Sequence, residues 1–454
     1  MTIPRSHHTA TLLLDGRVLI TGGFQVPPCG VESYHPVASA EIYDPSAGLF
    51  TPTGSMIAPR VNHVATLLPD GRVLVLGGGP PQSAEVYDPL TGTFSSTGNL
   101  PALDNPQGPA VLLNDGRVLV PAYITADLYD PSAGTFTRTG LRSVDGARAP
   151  VLQPDGNVLL LPIGTGESFA IERYNAQAGS FSLSVWPYMT SFFDLQEDFG
   201  YTAGSANLLR NGLVLITLYA VGVYPENAAL LFDLSSGKFT PTSRPMNYAR
   251  QGTAGTSLAD GSVLITGGYG QECTAPPGAE VYDPVSDSFL TTGAMTAYRD
   301  SYTATLLKDG SVLVTGGIGC LVVAGSFTQL ASAELYHPKS IPTLDLLTLS
   351  GDGQGPGAIL HASTQQIVSS ANPAVPGEYL EIYLRGLIDG SAIPPQVTIG
   401  GRMAEVSYFG AAPGYPGLSQ VNVRVPAGIP SGPTASVYLI YLGRPSNEVA
   451  IAVE

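Results

Sequence analysis

Lysine is nearly absent from this sequence: Lys238, Lys308 and Lys339 are the only three in 454 residues. Charged residues of all kinds make up 12%, about half the usual share, and the net charge is −16. Phosphate recognition needs clustered Lys and Arg, so nucleic-acid binding is excluded as an expectation. Long apolar runs are also missing. Val118 to Ala122 and Leu213 to Ala220 fall far short of the ~20 residues a membrane helix requires, so no membrane insertion is expected. Three cysteines, Cys29, Cys273 and Cys320, are too few for a disulfide scaffold. No charged segment followed by an apolar one marks a signal peptide at the N-terminus. What is abundant is glycine, 54 residues, and proline, 39. With 44% hydrophobic residues the chain is too apolar for disorder, and so much Gly and Pro is hard to place in helices. Many short strands joined by tight turns are expected.

A repeat organises the first three quarters. One unit runs from His8 through Asp15-Gly16 to Gly22-Gly23, crosses a variable loop, and continues as Ala40-Glu41-Ile42-Tyr43-Asp44-Pro45 to Gly48 and Phe50. The Asp-Gly step recurs at Asp15, Asp70, Asp115, Asp155, Asp260 and Asp309, and Asn211-Gly212 fills the remaining slot. These seven steps lie 40 to 56 residues apart, so loops vary on a fixed core. Each unit parses into four strands. Asp-Gly is a strong hairpin signal because Gly tolerates positive φ. Gly-Gly ends the second strand where backbones approach closely. Asp-Pro-x-x-Gly closes the third, and an aromatic residue marks the fourth. Seven four-stranded units of this length predict a β-propeller; a solenoid is the alternative.

The repeat resembles bacterial kelch repeats of the galactose-oxidase central-domain type. The likeness rests on Gly22-Gly23, Gly77-Gly78, Gly267-Gly268 and Gly316-Gly317, with Tyr43-Asp44-Pro45, Tyr87-Asp88-Pro89 and Tyr282-Asp283-Pro284. It covers about residues 1–340. Units three to five depart from it, with Pro121-Ala122, Pro162-Ile163 and Leu218-Tyr219 in place of Gly-Gly. The chain begins inside a repeat, so an upstream segment completing the last blade, with a secretion signal, is expected. Closure by Thr343–Leu349 is the alternative. The propeller is assigned to 1–349 and a flexible, Gly-rich linker to 350–358. Six short alternating runs then predict an Ig-like β-sandwich over 359–454: Tyr379–Leu384, Gln396–Ile399, Ala404–Phe409, Gln420–Val425, Ala435–Leu442 and Val449–Val453. The stretch from Gly410 to Gly432 resembles an uncharacterised module of secreted acidobacterial-type proteins, which implies an extracellular, periplasmic or cell-surface setting.

The resemblance raises copper-radical alcohol oxidation, for which that family holds copper with two Tyr and two His, one Tyr being cross-linked to a Cys. Tyr34-His35 lies in a variable loop and Tyr336-His337 at an outer-strand turn. His8, His63 and Tyr302 do align, each seven positions before its Asp-Gly step. A His/His/Tyr metal site is conceivable, but hydrogen bonding within the repeat is the preferred reading. No Cys falls on an inner strand, so copper oxidation is not the main expectation and no cofactor is expected. Arg5, Arg60, Arg250 and Arg299 each lie ten positions before the step, in neighbouring units. Such a row could bind a carboxylate or sulfate at one rim, although a structural role on carbonyls is preferred. The insertion between units four and five carries Trp186, Tyr188, Phe192 and Tyr201, aromatic faces suited to sugar or peptide contact or to plugging the rim. All three cysteines follow second strands, and Cys273–Cys320 is the favoured disulfide. No nucleophile elbow, phosphate loop, zinc-protease helix or carboxylate pair stands out. The leading expectation is a monomeric, secreted or surface binding protein whose rim recognises a glycan or protein without catalysis. The alternative is a galactose-oxidase-like or other carbohydrate-active enzyme.

Overall fold

The computed structural model describes residues 1–25, 35–101, 106, 108–122, 125–140, 142, 147–162, 168–187, 200–221, 227–269, 278–321, 326–338, 344–387, 394–441 and 444–454. It is all-β, and no helix among these residues is long and apolar enough to cross a membrane. Seven antiparallel sheets of the first unit are the blades of a propeller. In blade 1, Thr9–Leu12 pairs with Val18–Thr21, which pairs with Ala40–Asp44 and then Leu49–Pro52. The turn between the first two strands forms as its residues dictate: Asp15 accepts the Arg17 amide at 3.0 Å and Gly16 sits at φ 93°. Blades 2 to 6 repeat the four-strand pattern. Blade 7 has three strands among the described residues: Thr303–Leu306, Val312–Thr315 and Ala333–Tyr336. The ring closes between blades 7 and 1, where Gly317 N–H donates to Arg5 O (2.9 Å) and His7 N–H to Ser301 O (2.9 Å).

Packing follows the repeat. Second strands such as Val18–Thr21 and Val73–Leu76 are buried along their whole length, as continuous apolar runs between two neighbouring blades should be. Full burial of each Val, Leu or Ile contributes about 1.5–3 kcal/mol. In blades 1 to 6 an aromatic pair locks strand three to strand four, from Tyr43–Phe50 to Tyr282–Phe289, with ring centroids 4.7–5.0 Å apart. The same Tyr position ties adjacent blades: Thr53 and Tyr87 hydroxyls are 2.8 Å apart, Thr97 and Tyr129 2.8 Å, and Thr292 donates to Tyr336 at 3.3 Å.

The second unit comprises His337–Glu454 with the turn segments Leu258–Ser262 and Leu307–Ser311. Three expectations change here. The boundary falls at His337 rather than 349, because Asp345 and Leu346 pair with Arg385 and Leu384 in this unit's own sheet. Closure of blade 7 by Thr343–Leu349 is thereby overturned. Residues 350–358 are not a loose linker: Thr348 and Gly357 bridge, and Gly351, Gly353 and Gly355 adopt positive φ in turns held by Asn447, which donates to Gly353 O at 2.9 Å. Finally, the six alternating runs form as strands, but not as a clear Ig-like sandwich. The strands join one nearly closed, barrel-like sheet because Arg402–Ala411 belongs to two ladders. Arg402, Met403 and Ala404 pair with Ile399, Thr398 and Val397; from Glu405 onward, with an irregularity between Val406 and Tyr408, the strand pairs with Ser419–Arg424.

Candidate functional site

The arginine row is internal, not a rim patch. Arg5, Arg60 and Arg299 are 0% exposed and Arg250 1%. Each pairs with the Glu of the Ala-Glu-x-Tyr step in its own blade: Arg5–Glu41 (2.9 Å), Arg60–Glu85 (2.8 Å), Arg250–Glu280 (3.2 Å) and Arg299–Glu334 (2.8 Å). Each also donates to the first Gly-Gly carbonyl, as Arg60 does to Gly77 O at 2.9 Å. The Glu carboxylates in turn accept backbone amides, Ile57 N–H to Glu85 at 2.6 Å being one. These cations are spent on their own blades, since a buried charge must be paired and hydrogen-bonded. The sequence reading missed a fifth pair, Arg142–Glu172 at 2.9 Å, because Arg142 stands thirteen rather than ten positions before its Asp-Gly step.

His8, His63 and Tyr302 link neighbouring blades. His63 Nε2 lies 3.0 and 2.9 Å from the hydroxyls of Thr9 and Thr21 in blade 1. His8 Nε2 makes the same contacts with Thr303 (3.2 Å) and Thr315 (3.1 Å) in blade 7. Tyr302 donates its hydroxyl to Thr266 O (2.6 Å) in blade 6 and accepts from Ala254 N–H (3.2 Å). All three side chains therefore reach in one rotational sense. The Gly-Gly steps make room for them: a Cβ on Gly22 would meet His63 Cε1 at 2.8 Å, and one on Gly316 would meet His8 Cε1 at 2.7 Å.

Burial sets the protonation of these groups. Desolvation, reinforced by Arg5 and by the neighbouring imidazoles, holds His8 well below its ordinary value. Desolvation, with Arg60 and Arg5 adding, pushes His63 down to about 3. Each imidazole also leaves Nδ1 buried without a partner, so a second N–H would have nothing to donate to. Unfolded histidines titrate near 6.5, so for His63 the unfolded chain holds more protons than the folded one between that value and about 3, and His8 acts in the same direction. Stability is expected to fall as pH drops through this window, by up to about 1.4 kcal/mol per pH unit for each histidine. Urea midpoints at about pH 7.5 and about pH 5 check this, and His63→Gln should make the pH slope shallower.

These residues surround an axial cavity of about 1210 Å³ at the end of the ring that carries the Gly-Gly steps. Blades 1, 2, 3, 5 and 7 contribute to it, through Thr9, His63, Gly108, Gly204 and Thr303 among others. Its described lining supplies hydroxyls, an amide and imidazoles but no Lys, Arg, Asp or Glu. His7, also in the wall, is held below its ordinary value by burial against the opposing pull of Asp300. A polar lining without charged side chains among the described residues, in a chain of net charge −16, is the site's main chemical feature. The sequence reading named His8, His63 and Tyr302 but missed their predecessors His7, Asn62 and Ser301, which also line the cavity.

The other expected site residues are placed only in part. Trp186 stands on Ser180–Pro187 opposite Phe169, and Tyr201 on Gly200–Leu208 opposite Ala220, so the inter-blade insertion is shorter than expected. Val185 and Trp186 favour strand and extend the hairpin. The side chains of both aromatics lie outside the described residues, as do Tyr188, Phe192 and Cys273. Cys320 falls on the strand Ile318–Leu321, its side chain likewise outside them. The Cys273–Cys320 pair thus lies outside the described residues.

No protein-family profile matches the chain. It is 42% identical over 76 residues to galactose oxidase of Gibberella zeae, that of strain PH-1 included. That match spans 16% of this chain and 11% of those proteins. Among solved structures, a fungal alcohol oxidase of the AA5 family in complex with copper superimposes with a TM-score of 0.59 at 15% identity. The superposition covers 99% of this chain and 98% of that one, a likeness of fold. The chain is thus similar to galactose oxidase over one short stretch and shares its fold with the AA5 alcohol oxidase.

Proposed function

We propose that the protein is a galactose-oxidase-like, carbohydrate-active enzyme that takes an uncharged sugar or alcohol into the axial cavity. The observation that carries this reading is the cavity's described lining, which offers hydrogen bonds from groups that carry no charge. Neutral polyols are recognised by such donors and acceptors, whereas a fixed ion would be left poorly matched by them. The partial identity to galactose oxidase supports the substrate class. A setting outside the cytoplasm belongs to the same proposal.

Copper, which the fold relatives suggest, does not fit the described residues. His8 and His63 commit Nε2 to threonine hydroxyls on different blades, and Tyr302 commits its hydroxyl to Thr266 O. Burial also pushes the Tyr302 phenol up to about 12, away from the phenolate a metal would need. The described residues contain no cluster of three or more His, Cys, Asp or Glu able to hold a metal ion. This spending of His and Tyr on inter-blade bonds favours a second reading, a propeller that binds a glycan or protein ligand without turnover.

Calorimetric titration with galactose and with galacturonate, followed by assays for chemical conversion of the sugar with and without added Cu(II), separates the readings. Binding of galactose over galacturonate with turnover that does not depend on Cu(II) is expected. Binding without turnover would install the second reading, and neither binding nor turnover would remove both.

A further inference from the structure

We propose that His7, Asn62 and Ser301 form a ledge in the axial cavity that holds adjacent hydroxyl groups of the sugar. The three occupy one repeat position, each eight before its Asp-Gly step, in three consecutive blades. All have left-handed backbones, with φ of 55°, 51° and 53°. Their main chains are joined in sequence around the mouth: Asn62 N–H donates to His7 O (3.1 Å) and His7 N–H to Ser301 O (2.9 Å). All three line the cavity.

The residue types make this more than a structural joint. A left-handed backbone is costly for any residue but glycine and is only partly relieved for Asn. At most other positions of the repeat the chain meets positive φ with glycine, as at Gly22, Gly77, Gly267 and Gly316, with Gln82 and Asp287 as further non-glycine cases. At the ledge it keeps polar side chains despite the cost, and strain of this kind collects at ligand sites. Those side chains retain unused hydrogen-bonding capacity. Asn62 is exposed, and its amide has no partner among the described residues. His7 uses only Nδ1, 3.3 Å from Ser6 Oγ, while its ring packs edge-on to Phe24 with centroids 5.6 Å apart. Ser301 donates to Asp300 at 3.2 Å and keeps its lone pairs. An Asn amide offers a donor and an acceptor side by side, which matches two neighbouring sugar hydroxyls. His7 Nε2 and Ser301 Oγ extend the row.

The inference rests on the sugar reading above, and glycine substitutions test it separately. Asn62→Gly, His7→Gly and Ser301→Gly keep the left-handed backbone and relieve its strain while removing the side chain, so melting should not fall for Asn62→Gly and Ser301→Gly, and for His7→Gly only by the lost contact with Phe24. Calorimetry of the full chain with methyl galactoside should show about tenfold weaker binding for Asn62→Gly and for His7→Gly, and a smaller loss for Ser301→Gly. A control at an exposed blade-2 turn, Leu90→Ser, should bind as wild type. If the wild type binds and all three glycine variants bind equally well, the ledge is wrong and the sugar reading stands. If the wild type does not bind, both fall.

Discussion

Arg60→Ala is expected to cost about 3–5 kcal/mol of folding stability, among the largest effects of any single side chain in the molecule. The guanidinium is wholly buried, with Nε at 3.0 Å and Nη2 at 2.8 Å from Glu85, Nη1 at 2.9 Å from Gly77 O and 3.1 Å from Ser83 O. Removing it strands a carboxylate that is itself 3% exposed. The loss is mainly that of an uncompensated buried charge, so Arg60→Met with Glu85→Leu should recover most of it. Denaturant midpoints check both. A loss below about 1 kcal/mol for Arg60→Ala would mean that water reaches Glu85 and that the pair is not a buried element of the blade.

Gly22→Ala is expected to cost about 3 kcal/mol or more, and Gly48→Ala only the ~1–2 kcal/mol of a left-handed non-glycine residue. Both have positive φ, 60° and 67°. They differ in surroundings: a Cβ on Gly22 would lie 2.6 Å from Arg60 O and 2.8 Å from His63 Cε1, while one on Gly48 meets nothing within 4 Å. Since His63 reaches the blade 1 threonines across Gly22, its substitution should also loosen the blade 1–blade 2 joint at the cavity wall. Equal costs for the two variants, measured by thermal melting, would show that blade approach at Gly-Gly is not what the glycine provides.

The blades were legible in the sequence because their punctuation is local. Asp15-Gly16, Gly22-Gly23 and Asp44-Pro45 to Gly48 each declare a backbone requirement within a few residues. What could not be read depends on distant partners. The four arginines find their glutamates 25 to 36 positions away across loops of varying length, so a buried ion pair looks like a free cation in one dimension. In the second unit, alternation located the strands, but whether they stack as two sheets or nearly close as one is decided by how Arg402–Ala411 divides between two ladders. The position before His8, His63 and Tyr302 gave almost no signal. Asn62 and His7 are of types enriched at positive φ, but Ser301 is not one from which it would be inferred. The cavity's neutrality was hidden as well, since it needs five blades to assemble it.

A crystal structure of the full chain soaked with methyl galactoside tests the account most directly. It predicts one sugar in the axial cavity with ring hydroxyls against Asn62 and His7. Sugar density elsewhere with the cavity empty at saturating ligand would contradict it.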